Sequence, residues 1–260
     1  MRKRVRVIGV GPGDPDQVTV EAVAALRSVA FFVVSDKSGR GGMPDPLVEA
    51  RGRLLERHLD AVPTVVRIED PSRERRPERT GTQDEYAAVV EDWHEARAAA
   101  YEEALLAHEG DAGFLVWGDP AFYDSTIRVL ERVARRGRLE LDVDVVPGIS
   151  SLQLLAARHR IVLHEVGEPL HVTTRRRLRE AIDGGQRNVV VMLNSAIELD
   201  GLEEWQIWWG GNLGTTSERL VSGRVGDVLP AVEEARDRCR ADAGWVMDIF
   251  LLRGPEHSPR

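Results

Sequence analysis

The sequence predicts an α/β protein in two domains, on three observations. Short runs of β-branched residues alternate with longer stretches of helical periodicity. Several of those runs stop abruptly in turns containing glycine and proline, as strands do when their carboxyl ends open onto a ligand crevice. Around His159 to Pro169 the pattern changes, which puts the expected boundary after residue 163. Residues 1–163 then form an N-terminal α/β domain and residues 164–260 a C-terminal α/β domain with a mixed sheet.

Val5 to Val10 reads as the first strand and runs into GVGPGDPD, Gly9 to Asp16, where alternate glycines free the backbone for a tight turn. The G-x-G-x-G spacing departs from a dinucleotide fingerprint, and Pro12 removes an amide that a pyrophosphate would use. A helix follows through Leu26, then a strand over Ala30 to Val34 that leads to Asp36 and Lys37. Pro46 to Leu59 reads as a helix and Thr64 to Ile68 as a third strand. Asp70 to Asp84 is rich in arginine; such a run is usually a solvated loop, and the other reading is a flap that clamps carboxylates. Glu85 to His108 is a long helix whose Tyr86, Val90, Trp93, Ala100 and Ala104 mark its core face, with His94 at the boundary.

Phe114 to Thr126, FLVWGDPAFYDST, is the most informative stretch. An apolar run fit for a buried parallel strand breaks at Gly118-Asp119-Pro120, and a helical pattern starts at Ser125. Asp119 is the first polar side chain past the break and is placed to accept hydrogen bonds. The competing reading is an ordinary strand-to-helix turn. After a helix to Arg136, a strand over Leu141 to Val146 ends in Pro147-Gly148-Ile149-Ser150-Ser151, which opens another helix through Arg158. Helix-opening hydroxyls and amides are a second ligand-binding end.

Beyond the boundary the expected order is a strand (Leu170 to Thr174), a helix (Arg175 to Ile182) and a strand (Asn188 to Leu193). Strands at Trp205 to Trp209 and Arg219 to Ser222 flank GNLGTTSE. A helix over Val225 to Arg240 and a strand over Trp245 to Leu252 close the chain. Trp205, Trp208 and Trp209 either stack on a planar ligand or, as aromatics usually do, fill the core.

Composition narrows the function. The chain has 260 residues, a formal net charge of −8 and 42% hydrophobic residues. That charge argues against a nucleic-acid partner, which needs a basic surface. It leaves room for an anionic small molecule met by local arginines. Cys239 is the sole cysteine, so neither an internal disulfide nor a thiolate cluster is possible, and no metal site is expected from the scattered histidines. No apolar run approaches a bilayer span, and the apolar part of the amino-terminal run is too short for a signal peptide. The expectation is a cytoplasmic protein with no membrane partner.

In order and spacing, GVGPGDPD, WGDPAFYDST, VPGISS, VVVMLN and GNLGTTSE resemble the tetrapyrrole (corrin/porphyrin) methylase family, the class III S-adenosylmethionine enzymes. The resemblance covers nearly the whole chain. It implies two α/β domains with S-adenosylmethionine in the cleft between them, S-adenosylhomocysteine as product, a tetrapyrrole (precorrin) substrate and a homodimer. Cofactor contacts carry over to Pro12, Trp117, Gly118, Asp119, Phe122, Ser150, Ser151, Met192, Leu193 and Gly214. Relatives usually have Tyr-Met where this chain has Met192-Leu193, and a glycine where it has Asp124. DKSG, VEDWHEARAAAYE, AARHRI and GWVMDIFLLR are similar to a subgroup that methylates C-1 of precorrin-5 and releases a two-carbon fragment as acetate. Another tetrapyrrole C-methyltransferase, or a same-fold methylase of ribosomal RNA or the diphthamide pathway, remains the alternative.

Methyl transfer from a sulfonium needs an in-line carbon held close, with water excluded and protons managed. Asp36 occupies the place of a family aspartate proposed as general base, against a reading as a strand-end cap. Lys37 is placed to polarise a carbonyl or bind a carboxylate. Loss of the acetyl group calls for a second base, for which Asp124 and Asp248 are candidates. A substrate with many carboxylates calls for arginines, and Arg158, Arg160, Arg175, Arg176, Arg177 and Arg179 are the expected set.

Overall fold

A computed structural model of the chain describes residues 1–36, 46–61, 63–69 and 83–255. They form two compact units, Met1–Gly11 with Pro15–Ile149 and Pro12–Asp14 with Ser150–Arg260.

The first unit runs β1 (Arg2–Gly9), α1 (Val20–Ser28), β2 (Phe31–Asp36), α2 (Pro46–His58), β3 (Thr64–Glu69), α3 (Gln83–Ala107), β4 (Ala112–Val116), α4 (Thr126–Arg136) and β5 (Glu140–Val146). Its sheet has the order β3-β2-β4-β1-β5, with every pairing parallel. Alternation along β1 explains why helices cover both faces. Val5 and Val7 pack with Tyr101, Leu105, Val129 and Leu130 of α3 and α4, whereas Ile8 packs with Ala22 and Leu26 of α1 and Leu54 and Leu55 of α2. All five residues of β4 are buried, as expected of a central parallel strand. The helix ends follow local chemistry. Thr19 Oγ1 accepts the Ala22 amide at the start of α1, and Gly137, at φ 77°, closes α4. Glu102, fully buried on α3, takes Arg136 Nε at 2.9 Å and Arg138 Nη1 at 3.1 Å, tying α3 to the end of α4.

The second unit runs α5 (Ser151–His159), β6 (His171–Thr174), α6 (Arg175–Asp183), β7 (Asn188–Met192), β8 (Gln206–Gly211), β9 (Arg219–Arg224), α7 (Val225–Ala243) and β10 (Asp248–Arg253). Its sheet has the order β6-β7-β10-β8-β9 and is mixed, parallel only between β6 and β7. Helix α5, which the boundary after residue 163 would group with the N-terminal part, belongs to this unit. His159 at its end meets the Trp209 carbonyl through Nε2 at 2.9 Å. The last strand starts at Asp248, later than Trp245, because Met247 is held elsewhere. Its amide donates to Asn212 Oδ1 and its carbonyl accepts the Asn212 amide, both at 2.8 Å. Trp205 and Trp209 sit in the core with Ile207, Phe250 and Leu252, and the Arg253 guanidinium lies 5.0 Å from the Trp208 ring. Among the described residues, no helix is long and apolar enough to cross a membrane.

Candidate functional site

In the first unit the carboxyl ends of β4, β1 and β5 meet through glycine. Gly11 and Gly118 form a two-way bridge, with Gly118 N donating to Gly11 O at 2.8 Å and Gly11 N to Gly118 O at 3.2 Å. A Cβ on Gly9 would lie 2.5 Å from the Gly148 nitrogen, and one on Gly148 would strike the Gly118 carbonyl oxygen. No side chain fits there, so three strand ends close up backbone to backbone. The predicted turn residue Asp119 completes the join. Its Oδ1 accepts the Ala121 amide at 2.8 Å and its Oδ2 accepts the Gly148 amide at 2.9 Å, linking the β4 turn to the β5 turn. Trp117 and Phe122 are half-buried on either side of it. Gly148, which the sequence reading did not select, is therefore as much a part of this end as Gly118. Its signal was the Pro-Gly that ends a strand.

Beside this turn, at the ends of β2 and β4, lies a cavity of about 210 Å³ whose lining includes Ser35, Trp93, Arg97, Tyr101, Tyr123, Asp124 and Ser125. Two arginines, Arg51 and Arg97, also line it, and Arg97 donates from Nη2 to Ser35 Oγ at 2.8 Å and to Tyr101 Oη at 2.7 Å, and from Nη1 to Ser125 Oγ at 3.0 Å. Tyr123 is held at φ 52°, and burial raises its phenol pKa. Asp124 Oδ1 accepts the Thr126 amide at 2.6 Å and so opens α4. Asp36 ends β2, paired in register with Glu69; its side chain and the whole of Lys37 lie outside the described residues, as do residues 70–82 of the arginine-rich stretch.

In the second unit the β7 strand ends at Met192, and Leu193 follows at φ 58° with 64% of its surface exposed. A buried network fixes this turn from below. Arg236 of α7 donates from Nη2 to the carbonyls of Asn194 and Ser195, each at 3.1 Å, and from Nε to Asp248 Oδ2 at 2.8 Å. Asp248 Oδ2 also accepts Trp209 Nε1 at 3.2 Å. Burial pushes the Asp248 carboxyl above its ordinary range while Arg236 opposes the shift. Through Oδ2 the Asp248 carboxylate thus joins β10 to α7 and to Trp209 of β8. Nearby, Ser150 caps α5, accepting the Leu152 amide at 3.2 Å and bonding Gln153 through its hydroxyl; Ser151 begins the helix. Pro12 is buried in this unit, and a Cβ on the neighbouring Gly13 would lie 2.9 Å from Thr215 Cγ2.

The Gly214 amide donates to Glu218 Oε2 at 2.7 Å, and Glu218 Oε1 takes Arg158 Nε at 2.7 Å. Arg158 thus already carries a structural bond. Arg160, at φ 56°, ends α5 with an exposed side chain. Arg175 Nη1 pairs with Glu198 at 2.7 Å, and the exposed Arg176 follows it on α6. Of the six predicted arginines, two therefore lie at the end of α5 and four along α6, where Arg177 pairs with Glu180 and Arg179 Nη2 donates to the Asp200 carbonyl at 2.6 Å.

The family model for tetrapyrrole (corrin/porphyrin) methylases matches residues 4–229. The chain belongs to the tetrapyrrole methylases. Members of this family use S-adenosylmethionine, so the chain is a methyltransferase. It is 40% identical over 256 residues to precorrin-6A synthase (deacetylating) from Sinorhizobium sp, covering 96% of this chain and 95% of that one. A cobalamin synthesis related protein (CobF) from Corynebacterium diphtheriae has a crystal structure that superposes with a TM-score of 0.81 at 31% identity, over 98% of this chain and 100% of that one. Uroporphyrin-III C-methyl transferase from Thermus thermophilus, crystallised with S-adenyl homocysteine, shares the fold at a TM-score of 0.55 and 17% identity, over 95% of this chain and 91% of that one. The residues of this methylase fit such a donor. In the first unit, the turn after β4 sets the half-buried Trp117 and Phe122 beside backbone fixed by Asp119, an apolar and hydrogen-bonding surface of the kind that holds an adenosine or a thioether.

Proposed function

We propose that this methylase transfers a methyl group from S-adenosylmethionine to C-1 of precorrin-5 and, by adding water to the acetyl carbonyl, releases the two-carbon fragment as acetate, giving precorrin-6A and S-adenosylhomocysteine in aerobic cobalamin biosynthesis. The observation that carries the reading is the 40% identity to a precorrin-6A synthase along almost the full length of both chains. When bound, the sulfonium supplies both the methyl group and its own leaving group. The chain's residues then have to hold, orient and shield.

Pro12, Trp117, Gly118, Phe122, Ser150, Ser151, Met192, Leu193 and Gly214 are assigned to the cofactor and its product S-adenosylhomocysteine. Asp119 joins them through the backbone it ties together, since both its oxygens already accept amides. Asp36 is assigned as general base, with Lys37 beside it in sequence as the group that polarises a ring carbonyl or holds a carboxylate. Arg158, Arg160, Arg175 and Arg176 are assigned to the substrate carboxylates. The enzyme is proposed to be a cytoplasmic homodimer with neither nucleic-acid nor membrane partners.

The test is incubation with S-adenosylmethionine and precorrin-5, following S-adenosylhomocysteine and acetate together by NMR. Equal amounts of both are expected. Methylation without acetate would make the enzyme a different tetrapyrrole C-methyltransferase, and no S-adenosylhomocysteine would reject the reaction.

A further inference from the structure

We propose that Arg236 and Asp248 are positioning residues for S-adenosylmethionine, acting on it by holding Leu193 in the turn after β7. This rests on the assignment of Leu193 to the cofactor above. Leu193 sits at φ 58°, in the left-handed region that a leucine seldom adopts, and 64% of its surface is exposed. Backbone strain of this kind persists only where the surrounding structure imposes it. An apolar side chain turned out to water in such a turn gains when a ligand covers it. The turn thus has an outer face fit for the hydrocarbon side of a donor and an inner face that must be clamped.

The clamp is buried and comes from two elements. Arg236 of α7 and Asp248 of β10 are both buried, and the guanidinium meets three acceptors at once. Nη2 donates to the carbonyls of Asn194 and Ser195, the two residues after Leu193, while Nε donates to Asp248 Oδ2. Asn194 closes the turn from its own side, with Nδ2 donating to the Asp248 carbonyl at 3.2 Å and to the Val191 carbonyl at 3.4 Å. Bonds at Val191, Asn194 and Ser195 therefore bracket Leu193 before and after. Stability alone does not call for a buried ion pair, because apolar side chains of similar volume serve a core as well. What the planar fork adds is direction, set on two successive carbonyls and a carboxylate together. The turn that carries Gly214 is anchored separately, through Asn212 and the Met247 backbone, so a change at Arg236 bears first on Leu193.

The experiment uses Arg236→Lys, which keeps the charge beside Asp248 but loses the fork that meets the two carbonyls. It is compared with wild type, Leu193→Ala, Asp248→Asn and the double variant Arg236→Lys/Leu193→Ala. S-adenosylmethionine is titrated by calorimetry, an octacarboxylic porphyrin is titrated by fluorescence quenching, and melting temperatures are recorded. Each single variant is expected to raise the cofactor Kd by about threefold to tenfold and to leave porphyrin affinity unchanged. The double variant is expected to bind no more weakly than the weaker single, because clamp and side chain act as one unit. Unchanged cofactor affinity in folded Arg236→Lys, additive losses in the double variant, or equal loss of both probes overturns the proposal. If Arg236→Lys fails to fold, Asp248→Asn replaces it throughout the comparison. With precorrin-5, Asp248→Asn is expected to give acetate and S-adenosylhomocysteine in the wild-type ratio. Acetate lost at full cofactor affinity would make Asp248 a base and overturn its positioning role. No turnover by wild type, with the cofactor losses intact, rejects the proposed reaction and leaves the clamp. Turnover without those losses does the reverse.

Discussion

Asp119 spends both of its carboxylate oxygens inside the protein. Its two carboxylate oxygens accept amides from Ala121 and Gly148, so replacement by alanine strands two donors near the sheet end. Asp119→Ala is expected to lower stability by about 1–3 kcal/mol and to weaken S-adenosylmethionine binding, both read on the same folded sample by thermal melt and calorimetry. Undiminished calorimetric affinity would mean the turn is structural only. His159 gives a separate test, in pH. Burial lowers its pKa from 6.5, with the bond to the Trp209 carbonyl opposing. The unfolded chain therefore takes up the proton first as pH falls below about 6.5, and stability drops until the folded ring also protonates. His94 is shifted the same way, again chiefly by burial, so it contributes to the same slope. His159→Gln is expected to flatten the decline in stability between about pH 7 and about pH 5; an unchanged slope in urea titrations would contradict it.

The loop after β8 is held by an arrangement that joins two elements. Glu218 receives the Gly214 amide with one oxygen and Arg158 of α5 with the other, while Asn212, at φ 47°, donates from Nδ2 to Ser217 Oγ at 3.0 Å. Glu218→Ala frees that amide and guanidinium together. A rise in the cofactor dissociation constant of about threefold to tenfold is expected, with a smaller change in melting temperature. If only the melting temperature moves, the loop has no part in cofactor binding. This arrangement also marks where sequence reading stops. The strand-turn-helix rhythm, the Gly-Asp-Pro break and the parallel first sheet could be read from local pattern, because apolar runs and turn residues report on themselves. The second sheet's order could not, since β10 inserts between β7 and β8 through pairings distant in sequence. Nor could the distant partners be read, Gly148 for Asp119, Trp209 and Arg236 for Asp248, and Ser35 and Ser125 for Arg97, because no local period connects them. Arg97 lay in plain view within a helix whose Trp93 and Tyr101, four residues to either side, looked like ordinary core positions.

Charge separates this reading from its RNA-binding rival over the full chain. The protein carries a formal −8 and the proposed substrate is itself polyanionic, so at long range the two repel. Many arginines are already matched at close range, among them Arg158 with Glu218, Arg175 with Glu198 and Arg236 with Asp248. Attraction from the remaining cations therefore acts only within a short distance of the site. Salt shortens the screening length from about 30 Å at 0.01 M to about 8 Å at 0.15 M. That removes the distant repulsion sooner than the local attraction. The association rate of the carboxylate-rich porphyrin, measured by stopped-flow quenching, is accordingly expected to rise with salt over that range. A protein that recognises nucleic acid through a basic face behaves oppositely, losing affinity steeply as counterions compete. A rate that falls with salt would show that a positive field extends well beyond the surface, and would favour the macromolecular substrate.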